Sequence, residues 1–93
     1  MAKIHRLFWK RLHEENIKYG ILNNIGVAYF NLGKIRKSIK FFKESIKENE
    51  NFDFAHENLG ISYKEVGLYT EALKSFLKVL KINKNNIPPE IYQ

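Results

Sequence analysis

Cysteine is absent from all 93 residues. That removes disulfides, thiolate metal sites and cysteine nucleophiles at once. It fits a reducing compartment, and the chain reads as cytoplasmic. Proline is nearly absent too: the two prolines are adjacent, Pro88 and Pro89. The stretch from Met1 to Ile87 therefore holds no residue that forbids helix. No uninterrupted apolar run approaches the roughly 20 residues of a membrane span. Met1 to Arg11 mixes charged and apolar side chains too finely for a secretory signal. Acid is in short supply, with 10 Asp and Glu against 16 Lys and Arg, a formal net charge of +6. The basic surplus lies in the N-terminal half. Lys, Asn and Ile are abundant throughout, so the charge by itself is a weak functional signal.

What is present is enough apolar material to fold. Hydrophobic residues make up 44% and aromatics 14%, which separates the chain from a disordered tail. The length allows one domain, 1–93, with a modest core and a small stability margin.

The chain repeats itself. Shifted by 34 residues, Gly26 falls on Gly60, Tyr29 on Tyr63, Gly33 on Gly67 and Phe42 on Phe76. Ile25 meets Leu59, Leu32 meets Val66, Ile39 meets Leu73, Ile46 meets Leu80 and Asn24 meets Asn58. Each unit reads as a helical hairpin. Leu22, Ile25, Tyr29 and Leu32 recur at helical spacing, as do Leu59, Tyr63 and Val66. Gly33 and Gly67 stand where the chain must turn. Second helices follow on Ile35, Ile39, Phe42 and Ile46, and on Leu73, Phe76, Leu77 and Leu80. Asn49-Glu50-Asn51 and Asn83 to Asn86 end them, and Asp53 is placed to cap the helix after the first break. Mid-helix Gly26 and Gly60 each cost about 1 kcal/mol relative to alanine. That cost is expected where another helix backbone crosses, with Ser38 and Ala72 as the matching small residues. In the same register Phe8 falls on Phe42 and Leu12 on Ile46. Ile4, Leu7, Phe8 and Leu12 thus predict a separate helix over 3–16, half a repeat ahead of 19–52 and 53–86, five helices in all. A stub from Pro89 in the tail 87–93 would make a sixth.

Leu59-Gly60, Tyr63, Ala72 and Phe76 resemble the tetratricopeptide pattern, as do Ile25-Gly26, Tyr29 and Phe42 with Ser38 in place of alanine. The first-helix Trp of that pattern is replaced by Leu22 and His56, and the closing proline by Glu50 and Lys84. The resemblance covers residues 19–86. It implies an all-α fold: a right-handed solenoid of antiparallel helix pairs, about two and a half repeats long. It also implies a protein-interaction scaffold or adaptor without catalysis, binding a peptide or helix in a concave groove lined by first helices. Carried over position by position, the groove residues are Asn23, Asn24, Val27, Phe30 and Asn31 from the first unit. The second unit adds Phe54, Glu57, Asn58, Ile61, Lys64 and Glu65. Some members hold an acidic C-terminal tail with basic and Asn side chains. Only Asn58 of that clamp is kept here; Asn23 stands where a Lys is needed and Val27 where a second Asn is needed. A less charged ligand is expected. The competing reading is that the apolar surface is covered by the chain's own tail or by a second copy in a homodimer.

Other signals are weaker. Arg36, Lys40, Lys43 and Lys47, with Lys37 beside them, form a basic face that could track phosphates of a nucleic acid or an anionic surface. The plainer reading is a solvated outer face, since Glu44 and Glu48 can pair with Lys40 and Lys47. His5 and His13 lie about 12 Å apart along one helix, too far to share a metal. With His56 they are expected at the surface or its boundary. Glu14-Glu15 converges on no pocket. No catalytic residue, metal site or cofactor is expected. Trp9 is expected to seal the exposed end of the stack, the other reading being an anchor presented to a partner.

Overall fold

The computed structural model describes the backbone from residue 2 to 86, and the side chains of Arg6, Lys10 and residues 17–84. Among these residues lie four helices: α1 (Ala2–Asn31), α2 (Ile35–Glu48), α3 (Asp53–Glu65) and α4 (Tyr69–Asn86). α1 packs on α2, α2 on α3 and α3 on α4, and α1 also touches α3. The chain is thus two helical hairpins laid side by side, an all-α repeat of about two units.

Both hairpins close through the same device. Gly33 and Gly67 take φ of +79° and +81°, a conformation that glycine adopts without a Cβ clash. The Gly33 N–H donates to the Phe30 carbonyl at 2.9 Å and the Lys34 N–H to the Tyr29 carbonyl at 2.9 Å. Gly67 and Leu68 repeat these bonds to Lys64 and Tyr63 at 3.0 and 2.9 Å. The paired bonds satisfy carbonyls that the helix end would leave open.

The core is built across the hairpins. Phe42, Leu59, Tyr63 and Ala72 are buried together, with Val27, Ile39, Ile46 and Phe76 packed against them. Gly26 and Gly60 are small for a reason other than the one expected. A Cβ on Gly26 would lie 2.5 Å from the Phe42 ring, and one on Gly60 would lie 2.7 Å from the Phe76 ring. An aromatic ring of the second helix, not a crossing backbone, fills the space. The small-residue contact falls between the hairpins instead. Ser38 and Ser62 are fully buried with their hydroxyls 3.2 Å apart, and Ser38 also donates to the Ile35 carbonyl at 2.6 Å. Buried Ser45 donates to the Tyr19 carbonyl at 2.6 Å, tying α2 to the middle of α1.

The N-terminal expectation needs correcting. Residues 3–16 are helical, but they run without a break into residues 17–31 as one helix. The five expected helices are four among the described residues. The segment Asn16-Ile17-Lys18-Tyr19-Gly20 holds no proline, and its one glycine costs about 1 kcal/mol in a helix without stopping it. Residues 3–16 therefore lengthen the first helix of the first hairpin instead of standing beside it. The side chains of His5, Trp9 and His13, the apolar stripe at Ile4, Phe8 and Leu12, and the expected stub after Pro89 lie outside the described residues. Asp53 is also displaced by one position: Phe52 is the N-cap residue, and Asp53 opens α3 with its carboxylate accepting the Phe54 N–H at 3.0 Å. An acid in the first turn still complements the helix dipole.

Candidate functional site

Three helices converge on one pocket. Val27, Phe30 and Asn31 come from α1, Asn58 and Ile61 from α3, and Phe42 of α2 forms the floor. Its volume is about 180 Å³. That is below the roughly 300–1,000 Å³ of sites that enclose a small molecule, and it suits one inserted side chain. Five of its six lining residues are groove positions singled out in the sequence. Phe42 was not, because it was read only as core. Its signal was Gly26: a missing Cβ on α1 lets the Phe42 ring reach the groove floor.

The other groove positions fall elsewhere. Asn23 is buried, and its side-chain oxygen accepts from the Asn58 amide at 3.0 Å. It therefore orients Asn58 from beneath the surface. Asn24, Glu57 and Lys64 are exposed and do not line the pocket. Phe54 is exposed and belongs to a separate aromatic run. Its ring meets Phe52 edge-on at 5.7 Å, and Phe52 meets Tyr19 at 4.8 Å. Phe54 stands seven residues before Ile61, about 10 Å along α3.

The basic face has an internal use. The Lys37 ammonium lies 5.5 Å from the Tyr29 ring centre, Lys40 lies 5.8 Å from Phe41, and Lys43 lies 5.8 Å from Tyr63. Tyr29 and Phe41 stack at 5.4 Å beneath two of them. Cations over aromatic faces gain about 0.5–1 kcal/mol at exposed sites. Three of the five residues of the stripe thus cover aromatic surface, while Arg36 and Lys47 face solvent. Glu48 pairs with Lys18 of α1 at 3.5 Å, a partner the spacing within α2 did not suggest.

His56 lies deeper than the surface or boundary position expected of it. It is buried, and its Nε2 lies 2.9 Å from the Glu50 carbonyl, so Nε2 carries the donated proton. The imidazole fills the space under the α2–α3 connection, where the repeat pattern has a Trp, and satisfies a carbonyl of that turn.

Comparison with known proteins agrees with this architecture. Two models of the tetratricopeptide repeat match the chain, one over residues 20–52 and the other over 53–86. The chain belongs to the tetratricopeptide repeat family. Such repeats generally mediate protein–protein interactions and are typically non-catalytic. A comparison with curated proteins finds no match. No helix among the described residues is long and apolar enough to cross a membrane.

Proposed function

We propose that this protein is an adaptor that holds a partner's peptide or helix in its concave groove by one apolar side chain. The observation that carries this is the convergence of Val27, Phe30, Phe42 and Ile61 on a pocket the size of a side chain. Asn31 and Asn58 stand at the same pocket. Asn58 gives one amide hydrogen to Asn23, and its oxygen can accept a backbone N–H from the ligand. No acidic or basic side chain lines the pocket. An apolar anchor fits this lining better than a charged tail. Phe54, Asn24, Glu57 and Lys64 form the rim along which the rest of the segment runs, with the chain working in the cytoplasm.

Selection from a random displayed peptide library tests the reading. Peptides enriched on the wild-type protein should share a Leu, Ile, Met or Phe anchor. They should lose binding to Ile61→Glu and keep it with Leu73→Glu, a change away from the groove. Retention on Ile61→Glu, or failure to enrich any such peptide, would remove the groove as the binding site.

A further inference from the structure

The two ends of the stack each expose an apolar helix face. At the C-terminal end, α4 leaves Tyr69, Leu73, Leu77 and Leu80 more than half exposed. At the N-terminal end, α1 exposes Ile17, Ile21, Ile25 and Leu32, and a surface depression of about 350 Å³ is lined by Ile17, Lys18, Ile21 and Leu22. Neither face belongs to the concave groove.

The repeat register shows what each face is shaped for. Shifted by 34, Leu73 and Leu80 stand where Ile39 and Ile46 stand in α2. Those two are packed against the core that α2 shares with α3. Ile25 stands where Leu59 stands in α3, and Ile21 where Ala55 stands. Ile25 and Ile21 are 37% and 51% exposed, whereas Leu59 and Ala55 are 7% and 0%. The chain therefore makes this junction once internally, between α2 and α3, and presents both halves of it again, unpaired, at its ends. The close crossing is preserved too. Ser38 and Ser62 touch in the internal junction, and Ala72 and Ala28 occupy the same two positions at the ends. Ala72 is already only 4% exposed within its own hairpin and Ala28 is exposed, so a helix crossing there would meet small residues with no hydroxyl to satisfy. Lys43 lies over Tyr63 internally. Its counterpart at the end is Leu77, and that of Tyr63 is Tyr29, a ring that Phe41 and Lys37 of its own hairpin already flank, so a leucine would stand there in place of the cation. α4 has 18 residues against 14 in α2. Its extra turn lies at the end that would face the N-terminal extension of another copy's α1.

We infer that a second copy of this chain docks head to tail, α4 of one copy against α1 of the next, repeating the α2–α3 junction and continuing the solenoid across molecules. The contact is heterologous: each copy uses a different face, so the association is open-ended instead of stopping at a symmetric pair. A two-fold dimer through α4 alone would pair like with like and would leave the α1 face uncovered.

Sedimentation of the full 93-residue chain over a concentration series tests this with two variants. Leu73→Glu/Leu77→Glu disables the tail face, and Ile21→Glu/Ile25→Glu disables the head face. The wild type should exceed dimer mass as concentration rises. Each variant alone should be monomeric, with self-association weakened by at least about a hundredfold, as expected when apolar contacts are replaced by charge. An equimolar mixture should form a 1:1 dimer and go no further, because each partner retains the one face the other lacks. Dimerisation of either variant by itself, or a mixture that stays monomeric, overturns the proposal, as does a wild type that is monomeric throughout. Far-ultraviolet circular dichroism checks folding. If the double head variant loses helicity, the single Ile21→Glu variant, at a half-exposed position, takes its place.

Discussion

A hydrogen atom is all that Gly26 can place against α2, because the Phe42 ring occupies the space a Cβ would need. Gly60 faces Phe76 in the same way, but the two rings differ in freedom: Phe42 is 1% exposed and Phe76 is half-buried. Alanine in a helix interior is favoured over glycine by about 1 kcal/mol, and overpacking a well-filled site costs about 1–3 kcal/mol. Gly26→Ala should therefore lose about 1 kcal/mol, since the buried ring has nowhere to move. Gly60→Ala should be neutral or slightly stabilising, since the Phe76 ring can turn toward solvent. Urea unfolding followed by circular dichroism checks both, and equal losses would contradict the argument. At these positions the sequence told that a small residue was needed, through the coincidence of two mid-helix glycines. It did not tell what pressed on them, because ring placement depends on how the two helices of a hairpin rotate against each other. The serines were legible in part. Ser38 was expected as a small residue at a crossing, but its hydroxyl contact with Ser62 comes from the other hairpin and leaves no mark in local spacing. A double-mutant cycle on Ser38→Ala and Ser62→Ala should return a coupling of about 0.5–1 kcal/mol.

The hairpin is the element that the sequence described best. Gly33 and Gly67 were read as turns from their place after each apolar run, and both adopt positive φ with the same pair of capping bonds. Replacing either by alanine forces a Cβ into that conformation, at a cost of about 1 kcal/mol or more. Gly33→Ala and Gly67→Ala should each lower the melting temperature by roughly 4–8 °C in a domain of this size. Gly33→Asn should lose less, because Asn tolerates the left-handed region. A thermal scan that ranks Asn below Ala would argue against the φ explanation. α1 was read least well. The 34-residue register places Phe8 and Leu12 in a second-helix position, and register alone cannot see that the helix never stops. Only a breaker between residues 16 and 19 would have separated the two, and the one glycine nearby, Gly20, has open space around it and is carried within the helix. Of the candidate groove, the part contributed by two first helices at the same level was legible. Phe54 does not line the pocket, because the family's inward positions run along the whole helix, whereas this pocket forms where Phe42 closes it from behind.

At the scale of the whole molecule, the charge of +6 is distributed with little compensation. Lys18–Glu48 and Lys74–Glu71 form ion pairs at 3.5 and 3.9 Å, and both lie at the surface. Such pairs contribute about 0–1 kcal/mol. The surplus cations repel one another over distances comparable with the Debye length, and added salt weakens that repulsion. Salt also weakens the two ion pairs and the lysine–ring contacts, so the sign of its effect depends on which loss is larger. The surplus of positive charge lies in the N-terminal half, where it is concentrated on α1 and α2, while the Lys18–Glu48 and Lys74–Glu71 pairs are exposed and short-ranged. Repulsion should dominate, and stability should increase as sodium chloride is raised from low ionic strength to about 0.3 M, where the Debye length falls below roughly 8 Å. The same screening should favour head-to-tail association, because each copy approaches another of the same sign. Stability is therefore best followed on the Leu73→Glu/Leu77→Glu variant, which is expected to remain monomeric. That variant changes the net charge from +6 to +4 by adding two carboxylates. It should be less sensitive to salt than the wild type at equal monomer concentration. A melting temperature that falls with salt in both proteins would mean that the lysine–ring contacts and the Lys18–Glu48 pair outweigh the repulsion. The basic face would then be a feature that holds α2 against its neighbours more than one that merely keeps the chain in solution.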